Sequence, residues 1–415
     1  MSRRAVSPRR SAGEWGVRGV LAIVASLLGG LALTHAIAFT IRGTQPDQAY
    51  TLASNNAQIA ALVAEKLSGS QGTITDRMRA DRLALGALRN DASVVSAAAT
   101  LGLNAQIRGD THQAQQWLGY AERLSRRDIR TQLWMIEAAV GRNDIPGALR
   151  HYDIALRTSR TAADLLFPVL RSASANLAIR SALTRTLAAK PNWSEPFISQ
   201  AASLGEDPKA VTALFEELAR AGVDVPVRAR ALVITRLIEA GQVDPAWDYY
   251  ATIRPNVTKT RSRDSRFAAQ LADPTPFDWQ PSGEDGITVV IQPNGRRSGL
   301  VDFSAPSGIG GLLMQQMQVL PAGRYVFEAH GIGIDQPVES RPYWTLTCLG
   351  GQEIGRASLP NSSNGGGSVR AIFEVPTNCR TQYLSLNAQP SDAVGGTTGQ
   401  VDQISLRPES NERAS

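Results

Sequence analysis

Three hydrophobic patterns follow one another along this chain. Between Arg18 and Arg42 stand 23 residues without a charge, Gly19 to Ile41, mostly Val, Leu, Ile, Ala and Gly. At 1.5 Å rise per residue they reach about 35 Å, enough to cross a hydrocarbon core of about 30 Å. From 48 to 255 apolar residues recur at helical spacing, with a break roughly every 12 to 18 residues. Past Pro274-Thr275-Pro276 that spacing ends. Short runs of Val, Ile, Tyr, Phe and Thr then alternate with polar residues between Gly, Pro, Asn and Ser clusters. These runs predict strands near 286–292, 299–303, 312–319, 323–330, 342–349, 353–358, 368–374, 380–387 and 400–407. The expected layout is multidomain, α plus all-β. It comprises a basic tail (1–18), a transmembrane helix (19–41), helical repeats (48–255), a linker (256–276), an antiparallel β-sandwich (277–408) and a short tail (409–415).

Charge orients the apolar segment. Residues 1–42 hold six Arg against Glu14 alone, and five of those Arg precede the segment. The positive-inside bias keeps the N-terminus cytoplasmic and exports the residues after Arg42. Ala36-Ile37-Ala38 also matches a signal-peptidase site, so two readings stand: an uncleaved anchor, which the length of the stretch favours, and a cleaved signal peptide. Both put most of the chain outside the cytoplasm. The expected location is a bacterial inner membrane, crossed once, with the bulk of the chain periplasmic.

The helical region contains an internal period. Ala114, Leu118 and Ala121 recur 34 residues later as Ala148, Tyr152 and Ala155, and Gly109-Asp110 is matched by Gly141 and Asp144. Leu101-Gly102 lies on the helix upstream of the first set. Leu237 to Gly241, then Ala246 and Tyr250, repeat the turn and the small–large spacing. Over about 93–255 these residues resemble tetratricopeptide repeats, 34-residue helical hairpins with small residues where helices cross. The Trp and Pro of strong repeats are missing or displaced, and a nonrepeating helical bundle is the alternative. The resemblance implies a helical solenoid whose concave face docks a protein partner.

In the β-rich part, Met314 to Phe327 reads as an alternating Gln-rich strand, a Pro321-Ala322-Gly323 turn and a second strand. Val401 to Leu406 forms an Asp-containing final strand. Over about 277–408 these pieces resemble galactose-binding-like jelly rolls, the fold of many carbohydrate-binding modules. The resemblance implies a glycan as a ligand class and supplies no sugar-contacting residue by itself; the −5 balance of residues 273–415 favours a neutral one. Trp279, Tyr343 and Trp344 are the aromatic candidates for stacking on sugar rings, with core packing as the competing role. Cys348 and Cys379 are the two cysteines, and export makes a disulfide between them the expected state, against two reduced buried thiols.

Charge and motifs then exclude several classes. The net +6 divides unevenly: residues 273–415 carry nine Arg and 14 acids, giving −5. The high isoelectric point therefore describes no single basic surface, and no nucleic-acid partner is expected. Gly308-Ile309-Gly310-Gly311 opens no helical pattern, so it is not a dinucleotide loop. The four His are scattered, and no metal, cofactor or catalytic motif stands out. The basic run from Ile253 to Phe267 reads as a solvated linker. The expected function is a scaffold rather than an enzyme, in envelope polysaccharide assembly or export. A scaffold for secretion, division or envelope-protein assembly that never touches sugar is the alternative, and a glycan-processing enzyme is a more distant one.

Overall fold

Caps and turns written into the sequence delimit the helices. Asp110, Asp128 and Asp144 each accept a backbone N–H from the first turn of the next helix, and Thr73 and Asp76 cap one another reciprocally. The structure, a computed structural model, describes residues 12–284, 286–295 and 297–409. The basic tail before residue 12 and the tail from 410 onward lie outside the described residues. The helices are α1 (Ala12–Ile41), α2 (Pro46–Leu52), α3 (Ala57–Leu67), α4 (Ile74–Asn90), α5 (Val95–Ile107), α6 (Thr111–Leu124), α7 (Ile129–Gly141), α8 (Ile145–Thr158), α9 (Ala162–Ala173), α10 (Leu177–Ala188), α11 (Ser194–Leu204), α12 (Pro208–Arg220), α13 (Val227–Glu239) and α14 (Val243–Ile253).

The chain divides into two units, Met1–Val169 with Pro191–Trp193, and Leu170–Lys190 with Ser194–Ser415. In the first, α1 is the one described helix long and apolar enough to cross a membrane. It is exposed along nearly all its length, but Ala38 in its last turn is fully buried with Ala49, Ala53 and Ile59.

The hairpins α5–α6 and α7–α8 carry the 34-residue period. Ala114, Leu118 and Ala121 are fully buried, and Ala148, Tyr152 and Ala155 occupy the corresponding buried positions. Gly102 lets the helices close: a Cβ there would lie 2.4 Å from Leu118 Cγ. One detail of the expected alignment shifts. The left-handed residue that ends α7 is Asn143 (φ 56°), the equivalent of Gly109 (φ 80°), and not Gly141. Asparagine tolerates this conformation, so the repeat persists although the glycine is gone. The same pair of terminal bonds recurs, Asp110 N–H to Ala105 O and Asp144 N–H to Ala139 O.

In the second unit the described C-terminal residues form ten strands: β1 (Gln280–Pro281), β2 (Thr288–Pro293), β3 (Gly299–Ala305), β4 (Gly311–Gln318), β5 (Gly323–Ile332), β6 (Tyr343–Cys348), β7 (Glu353–Ser358), β8 (Gly366–Val375), β9 (Gln382–Ala388) and β10 (Thr397–Pro408). They make two five-stranded antiparallel sheets, ordered β1-β4-β9-β6-β7 and β2-β3-β10-β5-β8. Inward residues such as Phe303, Phe327, Trp344, Phe373, Leu384 and Leu386 fill the space between them, with the Phe327 and Phe373 rings stacked at 4.9 Å. Cys348 and Cys379 are disulfide-bonded.

The expected solvated linker proves to be packed structure. Ser262, Arg263, Phe267 and Thr275 are buried, and Ser262 N–H donates to Leu406 O at 2.9 Å. The Arg263 guanidinium donates to the carbonyls of Phe277 and Met317 and to Gln318 Oε1, and lies 5.2 Å from the Trp247 ring centre. A linker reading weighs polarity. It misses a buried guanidinium whose donors meet fixed acceptors. Accordingly α10 to α14 group with the sandwich, and the division into units does not fall at 256–276.

Candidate functional site: the outer face of the first sheet

Alternation along β6 and β9 sorts their side chains cleanly. Trp344, Leu346, Leu384 and Leu386 point into the core, leaving Tyr343, Thr345, Thr347, Tyr383, Ser385 and Asn387 on the outer face. Pairing register then assembles two rows across the strands. One runs Gln315–Ser385–Thr345–Arg356, and its neighbour runs Asn387–Tyr343–Ser358. Asn387 Nδ2 donates to Thr345 Oγ1 at 3.3 Å, so the middle of the face is a connected hydroxyl–amide patch. Thr345 and Ser385 are buried, whereas Tyr343, Tyr383 and Asn387 are half-buried.

Arg356 frames one side. Its guanidinium lies 4.2 Å from the Tyr343 ring centre and donates through Nε and Nη2 to both oxygens of Glu353, at 2.8 and 2.7 Å. That pairing holds the Glu353 carboxyl below the usual carboxylate range, and burial raises the Tyr383 phenol. The arrangement offers hydroxyls, amides and the half-buried rings of Tyr343 and Tyr383. Glu353 is already committed to Arg356.

Of the three stacking candidates, Tyr343 alone stands on this face. Trp344 is completely buried and Trp279 nearly so, their rings edge to face at 5.7 Å within the core. Neither presents an open face, which removes both from a sugar-stacking role. Trp279 Nε1–H donates to Asp264 O at 3.2 Å. The polar neighbours of Tyr343 are absent from the sequence expectation, because register decides which hydroxyls share its face.

The second sheet carries a different pair on its outer face. His330 Nδ1 and Asp402 Oδ1 lie 2.7 Å apart, and Ser368 is the register partner of His330. Among the described residues, however, no hydrogen bond joins Ser368 to the ring, and no cluster of three His, Cys, Asp or Glu could hold a metal.

No protein-family model matches this chain, and no curated protein matches its sequence. Solved structures resemble it in parts. A CBM4 carbohydrate-binding module is 15% identical, covers 36% of this chain and 99% of its own, and superposes with a TM-score of 0.27. The CBM22-1 xylan-binding domain of Paenibacillus barcinonensis Xyn10C is 8% identical, over 35% of this chain and 94% of that one, at a TM-score of 0.25. The type IV pilus biogenesis factor PilW is 15% identical, over 48% of this chain and 93% of that one, at a TM-score of 0.23. None of the three assigns a ligand or a partner to this protein.

Proposed function

We propose that this protein is a membrane-anchored extracytoplasmic scaffold whose sandwich binds a neutral glycan on the outer face of the first sheet, while its helical hairpins dock a protein. The observation that carries the glycan half is the patch of Thr345, Ser385, Asn387 and Gln315 beside the half-buried Tyr343 ring. Sugar recognition needs such a pairing of an aromatic face with fixed donors and acceptors. The −5 balance of residues 273–415 disfavours an anionic polymer at low salt and favours a neutral one. We assign the face binding and no catalysis, since its carboxylate Glu353 is held by Arg356.

The anchor reading draws support from Ala38. A signal-peptidase cut after it would take the residue out of its buried cluster with Ala49, Ala53 and Ile59. With the N-terminus inside, this suits a single-pass protein of a bacterial inner membrane serving envelope polysaccharide assembly or export. The sugar-free scaffold is the second reading, favoured by the Arg356 guanidinium lying over one side of Tyr343. Affinity electrophoresis of the full chain in neutral and acidic polysaccharides tests the choice. Retardation by a neutral polymer, lost in Tyr343→Ala, supports the first reading; no retardation by any polymer supports the second.

A further inference from the structure

The first helical hairpin after the apolar helix, α3–α4, carries an unpartnered face. α4 packs Ala80, Ala84 and Ala87 against Ala60, Ala61 and Ala64 of α3. At about 100° of rotation per residue, Ile74, Met78 and Leu85 fall in a sector about 40° wide that points away from those alanines. They are 80%, 54% and 38% exposed. Single exposed apolar residues are ordinary on a protein surface, but here three large ones share one row.

Arginines border that row. Arg89, Arg82 and Arg79 occupy the adjoining sector, all three exposed, and none makes a hydrogen bond or salt bridge among the described residues. The acids of the segment are committed elsewhere. Asp81 pairs with Arg108 at 2.6 Å and accepts from Asn104, and Asp91 folds back on Ser93. Asp76 folds back on Thr73 and reaches Arg79 only through space, while Arg77 donates to Ser68 O. With Asp81 neutralised by Arg108, the stretch from Thr73 to Asp91 sets Arg77, Arg79, Arg82 and Arg89 against Asp76 and Asp91. No acid stands in the exposed sector itself.

Position says what covers this face. The last turn of α1 buries Ala38 against Ala49, Ala53 and Ile59, and Ile59 belongs to α3. α4 therefore lies one helix beyond the helix that touches the end of the apolar span, and packed helices are about 8–10 Å apart. All four helices belong to the same unit. An apolar row flanked by arginines suits a bilayer surface, where the acyl boundary takes the row and lipid phosphates take the guanidiniums. A protein would have to be recruited to this face, whereas the bilayer is already held beside it.

We propose that α4 rests on the exported leaflet of the membrane that α1 spans, with Ile74, Met78 and Leu85 entering the acyl boundary and Arg79, Arg82 and Arg89 binding anionic lipid headgroups. The inference rests on the anchor reading and is independent of the glycan site. The full chain is reconstituted in vesicles of phosphatidylcholine alone, or of equal parts phosphatidylcholine and phosphatidylglycerol, with a spin label high on the acyl chains. A fluorophore is placed on Met78→Cys, where the Cys348–Cys379 disulfide keeps the native cysteines from labelling. In the mixed vesicles the probe should be quenched, and added salt should reduce the quenching. Arg79→Gln, Arg82→Gln and Arg89→Gln should each lower the docked-to-undocked ratio about fivefold, the worth of one arginine near an anionic surface. Leu85→Glu, at an exposed position, should release the helix similarly and decides the matter if an arginine variant melts early. Equal quenching in pure phosphatidylcholine, or unchanged quenching in well-folded variants, would overturn the proposal. So would an unquenched probe in the mixed vesicles, the result expected if a protein covers this face. Alkaline extraction reports the span separately. Release of the whole chain defeats the anchor reading and this inference with it, whereas retention with an unquenched probe defeats this inference alone.

Discussion

The Tyr250 hydroxyl donates to Asp278 Oδ1 at 2.8 Å, joining the last helix to the first turn of the sandwich. Both residues are buried, and the Trp247, Tyr250 and Phe277 rings pack around them at 5.2–5.5 Å between centres. Burial beside Asp278 pushes the Tyr250 phenol well above its ordinary value, so it remains a donor at any physiological pH. Tyr250→Phe should cost about 1–2 kcal/mol, because Asp278 keeps its two bonds from Thr275. Urea unfolding followed by tryptophan fluorescence measures it.

Arg263 is the more severe test of the same junction. Burial lowers its guanidinium to about 10, still protonated at neutral pH. Removing it strands the carbonyls of Phe277 and Met317 and the side chain of Gln318. Arg263→Ala should destabilise the second unit by about 3–5 kcal/mol, because several buried acceptors lose their charged donor at about 1–3 kcal/mol each. Limited proteolysis should cleave within 256–276 slowly in the wild-type chain and readily in this variant. Fast wild-type cleavage there would contradict the packed segment.

The two aromatics adjacent in sequence should part company experimentally. Trp344→Ala should destabilise the sandwich by about 3–5 kcal/mol, as loss of a fully buried ring does. Tyr343→Ala should leave the melting temperature within a few degrees and abolish retardation by a neutral glycan. A Tyr343 variant that binds glycan normally would remove the outer face from consideration.

The first unit carries a pH dependence at His151. Its Nδ1–H faces Gln132 Oε1 at 2.9 Å and Glu122 at 3.5 Å, with Arg126, Arg142 and Arg150 nearby. Desolvation is the largest influence and lowers the imidazole, Glu122 opposes it, and the arginines reinforce it. The unfolded chain therefore takes up this proton at higher pH than the folded one. Stability should fall as pH drops through about 6.5 and level off above it. In His151→Gln that slope should flatten in thermal melts between pH 5 and 8; an unchanged slope would place its origin elsewhere.

The Cys348–Cys379 bond closes a loop of 31 residues. Reduction should cost about 3.5 kcal/mol on chain-entropy grounds. Thiol labelling of exported protein should find none free until denaturant and reductant are combined.

The fold was legible where the pattern is local. Nine strands appear close to their expected ranges because period-two alternation and turn residues mark them. The tenth, Gln280–Pro281, is too short to alternate. The hairpin period was legible through Ala114 and Ala148, whose small size is needed where helices cross. What the sequence hid depends on partners distant along the chain. Trp344 and Tyr343 look equivalent until pairing with β9 assigns one to the core and the other to the surface. Arg263 looks like one more solvated charge until Gln318 and Phe277 come within reach from more than ten residues away. For the same reason Asn387 and Ser385 gave no sign that they neighbour Tyr343.

Ala38 gives the apolar helix a rotational setting. Because the last turn of α1 is itself part of the cluster with Ala49, Ala53 and Ile59, the span is not a leash. Each residue added or removed between Phe39 and Ile41, within the last turn of the helix, would turn it by about 100° about its axis and carry Ala38 away from its neighbours. In the membrane-anchored reading, the bilayer then fixes a heading as well as a distance. Replacing α1 with an unrelated apolar helix of equal length would keep the protein at the membrane and lose the direction in which its first hairpin faces.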